Sequence, residues 1–145
     1  MKTYWGVALI LGILALSWGA AAGQAPSVNP ASGAQSSNEG RELFRTYCAS
    51  CHGVTAVGNG PAAEAMKRRP ANLTLYAVNN GGVVPVAKLR RVIDGRDVSA
   101  HGSTDMPVWG YAFRTTKEGL DEAGVKARID AIVAYIETIQ ARRGN

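Results

Sequence analysis

The five residues CASCH, Cys48 to His52, hold both cysteines of the chain and one of its two histidines. Two thiols and an imidazole at this spacing suit four kinds of chemistry: a redox dithiol, part of a zinc site, a structural disulfide, or the thioether anchors and one axial ligand of a haem. Zinc takes four ligands, and beyond this cluster only His101 remains, with no second cysteine pair. A thioredoxin-like dithiol needs its CxxC at the start of a helix that follows a strand, where the positive helix end lowers the thiol pKa. Here the pair comes at the end of a predicted helix with no strand before it. A disulfide between residues three apart closes a tiny loop and gains little. Haem attachment uses every residue. On one helical turn Cys48 and Cys51 reach the two vinyl groups along one porphyrin edge, and His52, directly after, falls beneath the iron. One covalent haem c is the expected cofactor.

The face of the iron opposite His52 decides between electron transfer and ligand chemistry. Met66, His101 and Met106 are the candidates. Met106 stands in DMPVWG, where Pro107 biases it toward extended backbone and lets the loop direct its side chain inward. Most methionines simply fill cores, yet an iron in want of a ligand favours Met106, with His101 as the alternative and Met66 as a packing residue. With His52 on one side and a thioether on the other, no position is vacant. Soft sulfur and an apolar pocket favour ferrous iron, so the expected function is a one-electron carrier of fairly high potential and not an enzyme. Leu73, Leu75, Leu89, Val108, Trp109 and Tyr111 are candidate pocket walls. Arg68, Arg69 and Asn72 are candidate contacts for haem propionates, though arginine pairs more commonly face water. The competing readings are a bis-His or open-site ligand-binding cytochrome, a haem subunit or domain of a periplasmic oxidoreductase, and a cofactor-free dithiol protein. A dihaem peroxidase would need a second CxxCH, which the chain lacks.

The elements that must position these residues are helical. Ser36 and Glu39 have capping-box spacing, and Gly40, Leu43, Phe44 and Tyr47 share one helical face that runs into CASCH. Pro85 can open a helix with Val86, Leu89, Val92 and Ile93 near one side, ended by Gly95. In the last helix Val125, Ile129, Ile132, Val133, Ile136 and Ile139 make the apolar stripe. Asp121 and Glu122 suit its positive end, and Arg142 and Arg143 its negative end. No run alternates convincingly enough for a sheet. The expected fold is all-α, with three to five helices and long loops that need something to pack against.

With 145 residues the chain holds one core. Residues 1–23 read as a signal peptide, with Lys2, an aliphatic run from Val7 to Leu16, and Ala20, Ala21 and Ala22 for the peptidase. An uncleaved leader would instead make a membrane anchor. Residues 24–37, rich in small polar residues and proline, read as a flexible linker, which leaves 38–145 as the haem domain. Sixteen Lys and Arg against eleven Asp and Glu give a net charge of +5 without a run long enough for a nucleic-acid arm. The expected setting is a periplasmic monomer whose partners are redox proteins with acidic docking surfaces.

CASCH, GNGP (Gly58 to Pro61), RRPANLT (Arg68 to Thr74), DMPVWG (Asp105 to Gly110) and an amphipathic C-terminal helix, in that order, resemble a bacterial monohaem class I cytochrome c over about Glu39 to Ala141. The resemblance implies the cytochrome c fold. It implies that Gly40 and Phe44 of the first helix cross Tyr135 and Ile136 of the last. It further implies that the carbonyl of Pro61 accepts the Nδ1 proton of His52, fixing the ring as a ligand.

Overall fold

The computed structural model describes residues 30–97 and 105–142. The expected leader at 1–23, the first part of the expected linker and His101 lie outside the described residues. Within them the chain forms three helices of two turns or more, α1 (Pro30–Tyr47), α4 (Val86–Asp94) and α6 (Glu122–Thr138). Three single turns complete the set: α2 (Ala49–His52), α3 (Tyr76–Asn79) and α5 (Trp109–Ala112). Short 3-10 turns precede α3 and follow α5. Among the described residues there is no strand, so the all-α expectation holds. Among them, too, no helix is long and apolar enough to cross a membrane.

Two termini differ from the sequence reading. α1 already includes Pro30, so residues 30–37 of the expected linker are helical. Ser36 is consequently inside the helix and does not cap it: its hydroxyl donates back to the Gly33 carbonyl at 2.9 Å, as an interior serine does. At the other end α6 stops at Thr138, leaving Arg142 four residues beyond the helix. The reason is a competing set of partners. Gln140 and Ala141 turn away to bond the 73–77 segment, which ends the helical ladder before any arginine reaches its last turn.

The remaining signals act as expected. Asp121 caps α6 by accepting from the Gly124 N–H at 2.8 Å. α4 begins after Pro85, buries Leu89 and Ile93, and ends at Gly95 in the left-handed conformation. The core is one cluster, in which Phe44, Leu89, Phe113 and the α6 residues Val125, Ile129, Ile132, Val133 and Ile136 are buried.

The crossing of α1 and α6 fixes the whole arrangement. Gly40 is buried there, and a Cβ on it would collide with the carbonyl oxygen of Ala131. Only glycine lets the two backbones approach this closely, and the approach brings Phe44 and Tyr135 ring to ring at 5.3 Å. α1 therefore delivers Cys48 to a defined place beside α6. Without that contact the residues after Tyr47 would have no fixed origin.

Candidate functional site

CASCH continues the helical path from α1. The Cys48 N–H bonds to the Phe44 carbonyl (2.8 Å) and the His52 N–H to the Cys48 carbonyl (2.9 Å). α2 then ends at Gly53, with three carbonyls left to satisfy. The following loop doubles back and supplies them: Gly58 bonds to His52 (2.8 Å), Gly60 to Cys51 (3.0 Å) and Ala62 to Ser50 (2.9 Å), each N–H to carbonyl. A Cβ on Gly60 would collide with the Ser50 and Ala49 carbonyl oxygens, so a side chain there would push the loop off the helix, and Gly58, with a φ of +81°, would press a Cβ onto the Pro70 carbonyl on the loop's other side. The glycine-rich stretch is thus the clamp that holds the cysteines and histidine on one turn.

Cys48, Cys51 and His52 line a cavity of about 350 Å³ at the centre of the molecule. Met106, Pro107 and Trp109 line it as well, and much of the remaining wall is apolar, including Leu73, Leu89, Ile132 and Ile136. Both cysteines are free thiols, so the disulfide reading is set aside. Burial, with a smaller contribution from Cys51 beside it, pushes the Cys48 thiol up to about 12. A thiol held protonated in this way is the opposite of the activated thiolate that a redox dithiol requires. Among the described residues no group of three or more His, Cys, Asp and Glu side chains is placed to hold a metal ion by itself.

His52 is arranged as a ligand. Its Nδ1 lies 3.0 Å from the carbonyl oxygen of Ala71, and because a carbonyl only accepts, Nδ1 carries the proton and Nε2 keeps its lone pair. Burial lowers the pKa of the ring, against a smaller opposing effect of the Ala71 bond, and this favours the neutral imidazole that binds metal. The acceptor is therefore Ala71 and not Pro61. Pro61 is exposed and does not line the cavity, because the 53–62 loop spends its length capping α2 and carries Pro61 past the ring.

The segment that presents Ala71 is itself tied down from a distance. Asn72 accepts from the N–H (3.0 Å) and hydroxyl (2.7 Å) of Thr74, opening a short turn. Its side chain is thereby used as a cap, and Asn72 does not line the cavity as the sequence reading had it. Gln140, just beyond α6, donates to the carbonyls of Leu73 (2.9 Å) and Ile136 (2.7 Å) and accepts from the Ala77 N–H (2.9 Å). One side chain thus joins the histidine's support to the last helix. On the other side Arg96 bridges Asp94 (Nε to Oδ1, 2.7 Å) and Glu122 (Nη1 to Oε1, 2.8 Å), and Arg114 joins Glu122 at 2.7 Å. These pairs link α4 and α6 to the segment that follows Met106.

Of the expected site residues, the structure brings together Cys48, Cys51, His52, Leu73, Leu89, Met106 and Trp109, along with Arg68 and Arg69. Met66 lines the same cavity. Leu75, Val108 and Tyr111 do not, and Tyr111 is exposed at 60 %. The sequence reading missed Ala71, Tyr47, Tyr76 and Gln140. Ala71 acts through its backbone and leaves no trace in residue type. Gln140 lies 67 positions from Leu73, and nothing local in either segment signals the pairing.

Two thiols on one turn, a neutral imidazole with Nε2 available, a thioether and apolar walls around one central cavity are the donor set and the shape that a covalently held haem requires. A family model described as cytochrome c oxidase, cbb3-type, subunit III, matches residues 35–136. The chain belongs to this family. It is a c-type cytochrome, a domain that holds haem c covalently, with Cys48 and Cys51 at the spacing of the attachment motif, and its role is haem-based electron transfer. No curated protein and no solved structure gives a significant match. Domains of this kind are typically exported, and periplasmic or membrane-associated.

Proposed function

We propose that this cytochrome is a one-electron carrier in which His52 and Met106 are the axial ligands, working between exported redox proteins on the path from a dehydrogenase or respiratory complex to an oxidase. The observation that carries the reading is the presence of His52 and Met106 in the lining of one apolar cavity that also holds Cys48 and Cys51. When bound, haem supplies the exchange of one electron between ferrous and ferric iron. The chain's own residues prepare the site for it. Ala71 fixes the His52 ring with Nε2 toward the cavity side, the 53–62 loop fixes the turn that bears the thiols, and Leu73, Leu89, Ile132 and Ile136 exclude water.

Arg68, Arg69 and Lys88 are exposed residues that also line this cavity, which supports partners with acidic docking surfaces and short-lived contacts. Export with removal of residues 1–23 completes the reading. A second reading, a haem subunit of a larger oxidase, is favoured by the name of the matched family.

Met106→Ala tests the ligation. The ferric protein is expected to lose its sulfur-to-iron charge-transfer band and to shift to lower potential, and the ferrous protein to bind carbon monoxide. A variant that keeps both band and potential overturns Met106 and makes His101→Ala the next measurement. For the larger assembly, copurification of the tagged, detergent-solubilised protein with a stoichiometric oxidase distinguishes a subunit from a free carrier.

A further inference from the structure

Arg128 is a cation placed where cations are seldom found. It sits in the middle of α6 with 17 % of its side chain exposed, among Tyr47, Phe113 and the buried residues of that helix. Its guanidinium carbon lies 5.2 Å from the centre of the Phe113 ring and 6.0 Å from that of Tyr47. The nitrogen Nη1 is buried and makes no hydrogen bond among the described residues. Among the described residues its one carboxylate partner, Glu118, approaches Nη2 only to 4.0 Å and is itself 59 % exposed. Stacking on ring faces suits arginine, whose guanidinium is weakly hydrated, but it does not neutralise the charge.

The two rings lead to the site. Tyr47 lines the haem cavity, Phe113 stacks on Trp109 at 5.2 Å, and Trp109 lines the cavity as well. Tyr47 also meets Trp109 and Phe113 edge to face, at 5.5 and 5.2 Å. Arg128 does not reach the cavity; its charge is separated from it by one aromatic layer that excludes water. Across a layer of low dielectric constant a charge acts with less screening than in water. The ferric form of the site carries one more positive charge than the ferrous form, so a fixed cation at this distance opposes oxidation.

We propose that Arg128 is a potential-setting residue, raising the midpoint potential through its weakly compensated charge behind the Tyr47, Trp109 and Phe113 layer. The inference rests on haem occupying the central cavity and does not depend on which residue is the second axial ligand. Arg128 touches neither iron nor porphyrin, and its role is positioning of charge.

The test is spectroelectrochemical titration of the intact holoprotein at low ionic strength, with the charge-transfer band recorded alongside. Arg128→Met is expected to shift the ferric-to-ferrous ratio at a fixed ambient potential by about tenfold toward ferric, a fall in midpoint of about 59 mV for one electron, with the axial band unchanged. Arg128→Lys, which keeps the charge, is expected to restore most of the potential. An unchanged potential in Arg128→Met, or failure of the lysine to restore it, overturns the proposal. So does loss of the axial band in Arg128→Met, which would make the arginine a support for ligation instead. Glu118→Gln covers the case in which Arg128→Met does not fold. Removing this counter-charge from an exposed position should raise the potential, and no change or a fall overturns the idea. Loss of the Met106 reading by itself would alter the band and leave the arginine-to-lysine comparison interpretable.

Discussion

Where α1 crosses α6 the molecule is held by direct contact, backbone against backbone at Gly40 and Ala131 and ring against ring at Phe44 and Tyr135. Around the cavity, residues 53–75 and 105–108 are loops and short 3-10 turns held by loop-to-helix hydrogen bonds and a few side-chain ties. The first region buries its own apolar surface. The second lines a space of about 350 Å³ that no side chain fills. Well-packed interiors leave few voids larger than a water molecule, so the loop region depends on the cofactor for its packing while the helix crossing does not. In this chain the scaffold precedes the site and the cofactor completes the core.

The strongest way to break that comparison is to remove the anchors. Cys48→Ala with Cys51→Ala should yield protein without covalent haem, in which amides of 53–75 and 105–108 lose most of their protection from hydrogen exchange while α1 and α6 keep residual protection near Gly40. Equal loss in the two regions would show that the crossing is not an independent scaffold. Next in size is Gly40→Ala, in which one added methyl group meets the Ala131 carbonyl and should cost about 3 kcal/mol by denaturant unfolding, the upper end of overpacking penalties. Gly33→Ala in the same helix is the control, because nothing lies within 4 Å of that position; it should be neutral or slightly stabilising.

Gln140→Ala sharpens the comparison from the loop side. It strands the Ala77 N–H and removes a donor from the Leu73 carbonyl, for an expected cost of about 2 kcal/mol. The larger consequence should be a broadened signal for His52 in the paramagnetic NMR spectrum, since Ala71 is held through this segment. The smallest effect belongs to the ion pairs. The Arg96 hydrogen bond holds the Asp94 carboxyl below its ordinary value of 3.8, against the smaller effect of its own burial. A carboxyl lowered on folding stabilises the protein above that ordinary value and loses the contribution as pH falls below it. Asp94→Asn should therefore lower stability at pH 7 by about 1 kcal/mol or less and flatten the loss of stability as pH falls below about 4. A parallel acid profile in the variant would remove Asp94 from the account.

The parts of this molecule that were legible beforehand share one property: their cause lies within a few residues of their effect. The spacing of Cys48, Cys51 and His52, the stripe from Val125 to Ile136, and the stop at Gly95 each act inside one or two helical turns. Pro61 and Asn72 illustrate where that fails. Proline at 61 marks a turn plainly enough, yet which carbonyl meets His52 depends on how the 53–62 loop folds back on α2. Asn72 is polar and near the site, but its side-chain oxygen accepts from the Thr74 N–H two residues on. Arg128 gave no warning at all, because a lone arginine in a helix is most commonly solvated and only the packing of Tyr47 and Phe113 around it makes it a buried charge.

By itself the sequence determined that this chain is a c-type cytochrome, with Cys48, Cys51 and His52 at the spacing of a haem-attachment motif, and that its elements are helices, since motif spacing and helical periodicity are short-range matters. The tertiary structure alone decided that Ala71 orients the imidazole, that Gln140 ties its support to α6, and that Met106 shares a cavity with His52. Those outcomes depend on segments far apart in the chain being brought together by the α1 and α6 crossing, and no local preference specifies where such segments meet.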